Sequence, residues 1–322
     1  LILVSCTVSS FVSMASAQRI AQADNDNTVS GINEETENIL LALNHKVTVE
    51  KMVNLGMMVK TSKNKQLFGI NIINEDANES SVKNAEKILG DAVNTASAAD
   101  VKLNAITRHD TDVVRGINNA IKEHNITDLI IGLEENKGFS ASFIYNLYNG
   151  YLHNKNINLL VYHGVQPIGT IKKYIVLIPS EAEKDAGFFH SMLKIWNIGR
   201  NSGATISFYG NERTMQILTR IAKKANIEGE FNIVQTWSEA ENAAYNLKED
   251  EGLIILMADR GMHSYFPQMR EVPELLNKNL NNNNYLLIFP FSKTLENTTE
   301  KRAVSNVDDF AEIGKIIGKI FK

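Results

Sequence analysis

Cysteine occurs once in this chain of 322 residues, at Cys6. A lone thiol makes no internal disulfide and no multi-thiolate metal centre, which fits a reducing compartment. Proline (5 residues) and glycine (19) are sparse, so collagen-like repeats and long disordered tracts are excluded. Positive charge is not in excess: 33 Lys and Arg stand against 37 Asp and Glu, a net charge of −4 spread along the chain. Nucleic acid is therefore not an expected partner, because binding its backbone needs clustered cations. The seven histidines, His45, His109, His124, His153, His163, His190 and His263, show no H-E-x-x-H and no paired-ligand spacing. There is no G-x-S-x-G elbow either, so neither a metal site nor an enzyme is expected. Asparagine, by contrast, is abundant. Its run from Asn281 to Asn284 reads as compositional bias, since it lacks the length and aromatic interleaving of a functional tract.

No run reaches the ~20 apolar residues of a spanning helix, yet the stretch from Leu1 to Ala17 carries no charge at all. Ser5, Ser9, Ser13 and Ala17 recur at helical spacing and would form one small-residue face suited to close packing in a bundle. The stretch reads as the end of a membrane span, as a signal-peptide remnant cut after Ala15-Ser16-Ala17, or as a soluble helix. Residues 19–36 are polar and turn-rich, the composition of a linker.

From Asn38 onward, short apolar β-type runs alternate with helical periodicity, the pattern of a parallel sheet covered by helices. Strands are expected at Ile39–Leu43, Leu67–Ile73, Val101–Thr107, Leu129–Ile131 and Ile157–Tyr162. Helices are expected at Val47–Lys60, Val82–Ala98, Thr111–His124 and Phe139–Leu152. The pattern restarts at Tyr174–Ile178 and runs through Thr205–Tyr209, Phe231–Thr236, Leu253–Met257 and Tyr285–Phe289. Its helices are expected at Phe188–Arg200, Thr214–Ala225 and Glu239–Leu247, the last opened by a Ser238/Glu241 capping box. Right-handed crossovers turn this order into two tandem doubly wound α/β domains, each a five-stranded parallel sheet of order 3-2-1-4-5. The aromatic helix Phe188 to Trp196 belongs to the core or to a face between the copies. Ile313, Ile316, Ile317, Ile320 and Phe321, interleaved with lysines, mark a terminal amphipathic helix that docks on the second domain or adsorbs to an anionic bilayer.

The duplicated five-strand unit, with a turn-rich segment after strand four and an apolar fifth strand ending near Pro290, resembles the universal stress protein family over about Glu37 to Ser292. Beside that resemblance, Leu3 to Val12 looks like the end of the last transmembrane helix of bacterial monovalent cation:proton antiporter-2 proteins, some of which carry a tandem universal-stress-type tail. The resemblance implies five segments: a membrane-helix end at 1–18, a linker at 19–36, universal-stress-like domains at 37–168 and 169–295, and a linker with the amphipathic helix at 296–322. It also implies a regulatory portion of a sodium (or potassium)/proton antiporter at the cytoplasmic side of the inner membrane. The expected partners are its own membrane domain, a second copy in a homodimer, and a small-molecule effector. The alternatives are a free-standing tandem stress protein binding ATP or AMP, and a periplasmic tandem domain released by signal cleavage.

Nucleotide-binding members of that family carry G-x-x-G followed further on by G-[ST], glycines that let the backbone reach phosphate. Gly132 fits the first glycine of the first copy, but Glu135 stands in place of the second, Gly138 comes too late, and Gly150 precedes Tyr151. In the second copy Ala258 replaces the first glycine, Gly261 fits the second, and Glu271 falls where the third belongs. The acidic residue the family places after strand one is Asn44 in one copy and Pro179 in the other. No cofactor is therefore expected, and Gly132, Gly138, Gly261 and Arg260 stand as degenerate nucleotide-loop positions. The loop Asp259 to Ser264 is the most functional-looking in the chain, because a doubly wound sheet binds ligands beyond the carboxyl ends of its strands and Arg260 offers an anion its fork of donors.

Overall fold

A computed structural model of the chain describes residues 38–43, 49–60, 66–133, 157–245, 247–272, 276 and 282–292. The expected membrane-helix end, the linker, the helix at Phe139–Leu152 and the terminal amphipathic helix lie outside the described residues. No helix among the described residues is long and apolar enough to cross a membrane.

The first half consists of β1 (Asn38–Ala42), α1 (Val49–Val59), β2 (Gln66–Ile73), α2 (Glu79–Ser97), β3 (Leu103–His109), α3 (Val113–Glu123), β4 (Asp128–Gly132) and β5 (Asn158–His163). The second half repeats the order with β6 (Lys173–Leu177), α4 (Phe188–Ser202), β7 (Thr205–Gly210), α5 (Glu212–Ala225), β8 (Glu230–Ile233), α6 (Trp237–Tyr245), β9 (Glu251–Leu256) and β10 (Tyr285–Phe289). Each half has the expected order 3-2-1-4-5, and all ten strands form one sheet, β3-β2-β1-β4-β5-β10-β9-β6-β7-β8. Every pairing is parallel except the junction, where β5 and β10 run antiparallel with Val161 opposite Leu287 and Leu159 opposite Phe289.

The junction follows from burial. All six residues of β5 and all five of β10 are buried, and all but Asn158 and His163 at the ends of β5 are apolar, so either strand left as an edge would expose an apolar ribbon with unpaired amides. The outer edges fall instead to β3, whose residues alternate in exposure, and to the short, half-exposed β8. Side chains alternate across the sheet: Leu40 and Ala42 of β1 join Ile175, Leu177, Leu253, Tyr285, Leu287 and Phe289 in one core continuous through both halves. On the opposite face α1 packs against α4. Eleven of the fifteen residues of α4 are buried, Trp196 among them, so both readings of the aromatic helix apply.

The covered interior holds a charge pair. Lys194 of α4 reaches across the junction to Asp128 at the start of β4, Nζ to Oδ1 2.9 Å, and each side chain is 1% exposed. Asp128 also accepts the Asn158 side-chain amide and the Thr127 hydroxyl, both at 2.8 Å, while Asn158 accepts the Phe291 amide at 3.0 Å. Gly187, just before α4, lies so close to the backbone of Phe291 that a Cβ there would stand 2.7 Å from its carbonyl oxygen. The asparagine run also acquires a structural role that a compositional reading misses. Asn284, fully buried, accepts the amides of Val165 and Gln166 at 2.7 and 3.0 Å and donates to the Gln166 carbonyl at 2.9 Å, pinning the turn between the halves. Asn283 donates to the carbonyls of Lys248 and Glu251 at 2.8 and 3.2 Å.

Four helix starts within the described residues differ from the sequence expectation: α2 begins at Glu79 rather than Val82, α3 at Val113 rather than Thr111, α5 at Glu212 rather than Thr214, and α6 before Glu239. α6 begins at Trp237, because Thr236 accepts the Glu239 amide at 3.3 Å and the Glu239 carboxylate accepts the Gln235 amide at 2.8 Å. The cap is thus a shifted box of Thr236 and Glu239, two residues before Ser238/Glu241, with Glu239 closing on the Gln235 amide rather than on that of Thr236. Glu241 instead accepts the Trp237 indole N–H at 2.5 Å.

Removing one partner of the buried pair strands the other charge. Lys194→Met or Asp128→Asn alone is expected to cost about 3–5 kcal/mol in urea unfolding. The double variant should lose at least about 1 kcal/mol less than the sum of the single losses, because the coupled pair is removed whole. Strict additivity would contradict a direct pair.

Candidate functional site

In the second half the chain reverses its winding at β6, which lies between β7 and β9, so a crevice opens beyond the carboxyl ends of these strands. It is a cleft of about 330 Å³. The segment after β6 contributes Ile178, Ser180 and Glu181; the end of β7 contributes Gly210 and Asn211. The turn into α6 contributes Val234 to Trp237 with Ala240, and the loop after β9 contributes His263 to Phe266. Trp237 and Phe266 form an aromatic wall, their ring centroids 4.9 Å apart.

Two buried carboxylates hold the rim. Asp185 accepts the His263 amide at 2.7 Å and the Ser264 amide at 3.3 Å, lies 3.3 Å from His263 Nδ1, and accepts the Ser264 hydroxyl. Glu183 accepts the Thr214 hydroxyl at 2.8 Å and pairs with Arg213 Nε at 3.3 Å, tying the same segment to the start of α5. The segment after β6 is thereby fastened to both loops that face it. Glu181 adopts a left-handed φ of 66° beside the cleft, and the Lys184 ammonium bonded to it holds its carboxyl below the usual range. Burial pushes the Glu241 carboxyl above the usual range; the Trp237 indole acts against this and the nearby Glu271 carboxylate adds to it.

Among the lining residues there is no Lys or Arg, and Glu181 is the one carboxylate. With Glu181 bonded to Lys184 and no Lys or Arg facing the cavity, a phosphate would find no fixed cation to repay its desolvation. Hydrogen-bonding groups are ample. The side chains of Ser180, Gln235 and Tyr265 make no hydrogen bond to other described residues and remain available to a ligand.

The sequence-predicted positions are not brought together in this cleft. Arg260 and Gly261 occupy the exposed outer turn of the loop, with the Arg260 amide bonded to its neighbour Asp259 at 2.7 Å and Gly261 at φ 99°. They shape the turn that delivers His263 and Ser264 rather than lining the cavity. Gly132 ends β4 in the other half, opposite Tyr162, and Gly138 and Glu135 lie outside the described residues. Sequence reasoning looked for an acidic residue at Pro179 and passed over Glu181, Glu183 and Asp185, whose alternation directly after an apolar strand is the visible signal. Trp237 and Phe266 carried no signal, since one opens a helix and the other sits in a coil.

No family model matches the sequence, and no curated protein matches it. Solved structures do. The cytoplasmic domain of a prokaryotic cation chloride cotransporter matches with a TM-score of 0.55 and 11% identity, over 80% of this chain and 97% of that one. A universal stress protein from Archaeoglobus fulgidus DSM 4304 matches with a TM-score of 0.51 and 14% identity, over 79% and 96%. The chain therefore has a universal-stress-protein-like α/β fold, and at these identities the likeness extends to the fold alone.

Two measurements check the site. Asp185→Asn should cost about 2–3 kcal/mol and speed amide exchange at His263 and Ser264 while leaving β1 and β4 protected, because charge-assisted bonds are lost there. Unchanged exchange at that loop would contradict the clamp. For Glu241, a carboxyl raised in the folded state makes ionisation costlier there than in the unfolded chain, so its contribution falls as pH rises through the carboxyl range. Glu241→Gln should be more stable than the parent at about pH 7 and equal to it well below about pH 4. A pH-independent difference would contradict this.

Proposed function

We propose that this chain is the cytoplasmic regulatory portion of a sodium (or potassium)/proton antiporter, acting on monovalent cation exchange by a membrane domain. The observation that carries the reading is the match to a cytoplasmic transporter domain over most of both chains, joined to the charge-free run Leu1 to Ala17 at the amino end. A single sheet spanning both halves suits a body that biases a transporter through contacts or a bound effector. The partners proposed are the antiporter's own membrane domain, a second copy of the chain, and a small molecule.

Antiport measured in everted membrane vesicles tests this. A transporter truncated after residue 36 should still exchange cations but with a changed dependence on pH or ion concentration, and unchanged exchange would overturn the reading.

The second reading, a free-standing stress protein that binds ATP or AMP, draws on the match to a universal stress protein. The cleft's lack of Lys and Arg weighs against it. Calorimetry on the chain is expected to show no ATP binding tighter than roughly 100 μM, about −5.5 kcal/mol. A low-micromolar isotherm that disappears with Gly261→Asp would favour the second reading instead.

A further inference from the structure

We infer that the second-half cleft is a binding site for an uncharged, flat aromatic molecule bearing both hydrogen-bond donors and acceptors. This goes beyond the regulatory reading and does not rest on it, since the cleft's chemistry is the same whatever the chain is attached to. The volume of about 330 Å³ falls in the range of small-molecule pockets. Its walls are of two kinds. Trp237 and Phe266 offer ring faces and edges for stacking, while the Ser180 hydroxyl, the Gln235 amide and the Tyr265 hydroxyl have no partner among the described residues and can donate and accept.

Charge selects against both alternatives. An anion finds no Lys or Arg in the lining to pair with, and the one imidazole there, His263, is already held against Asp185. A cation finds the Glu181 carboxylate already occupied by Lys184, and Arg213, paired with Glu183, adds positive charge nearby. What remains unsatisfied is neutral: apolar ring surface and uncharged polar groups. The site is also preorganised. Asp185 fixes His263 and Ser264, Glu183 fixes the start of α5, and the Thr236/Glu239 box fixes the turn that presents Trp237, so little ordering is left for the ligand to drive.

Three probes share one flat ring and differ in charge: benzamide, benzoate and benzamidine. Titrating each into the 15N-labelled full chain and following the two indole N–H resonances reads the cleft directly, because Trp237 lines it and Trp196 is buried in α4 away from it. Benzamide should shift the Trp237 signal but not that of Trp196, with a dissociation constant on the order of 1 mM, as ligand efficiency allows a fragment of this size. Benzoate and benzamidine should each bind at least about fivefold more weakly, for the two charge reasons given. Gln235→Ala, at an exposed position, should weaken benzamide about threefold or more, the loss of one neutral hydrogen bond. Trp237→Ala should abolish the saturable binding seen by calorimetry. Tighter binding of benzoate or benzamidine than of benzamide, equal shifts at both indoles, or no benzamide binding would each overturn the inference. None of these outcomes bears on antiport by the truncated transporter, so the two readings fail separately.

Discussion

The pairing of β5 with β10 is the constraint on which the rest of the structure depends. Each half is a parallel sheet whose fifth strand is buried along its whole length and apolar but for Asn158 and His163 at the ends of β5, and such a strand has no stable place at a solvent edge. Joining the two fifth strands removes both liabilities at once. The antiparallel sense of the join turns the carboxyl end of one half toward the amino end of the other, which is why Phe291, just past β10, meets Asn158 at the start of β5.

That geometry explains where the polar interior sits. Asp128 and Lys194 come from different halves, and their pair is buried because the junction leaves no solvent between α4 and the start of β4. A buried pair of this kind adds little net stability against an apolar replacement but penalises any arrangement in which the partners do not meet. Asn284 acts similarly for the turn between the halves, consuming both its oxygen and its amide on one short segment. With one face sharing a single apolar core, the halves have few ways to shift against each other.

Much of the fold was legible in the sequence because its signals are local. Continuous apolar runs such as Ile39 to Leu43 announce strands covered on both faces, and the repeat of strand and helix fixes the order 3-2-1-4-5 in each half. The one-sheet junction and the inward roles of Asn283 and Asn284 were not legible, because they depend on partners far along the chain that composition cannot show. The capping box was misplaced by two residues since Thr236/Glu239 and Ser238/Glu241 satisfy the same spacing, and only the indole of Trp237, by taking Glu241, separates them. The site was half visible. The loop Asp259 to Ser264 does reach the cleft through His263 and Ser264, but a search shaped by phosphate-binding glycines pointed to Arg260 and Gly261, whose work is to turn the backbone.

The central claim is that both halves form one cooperative body through the β5–β10 junction. It is tested most directly by equilibrium urea unfolding of the chain followed at once by the fluorescence of Trp196 and Trp237 in the second half and by amide exchange of β1 and β4 in the first. The account predicts a single coincident transition for both probes, with the same midpoint and slope. Two separated transitions, one for each half, would contradict it.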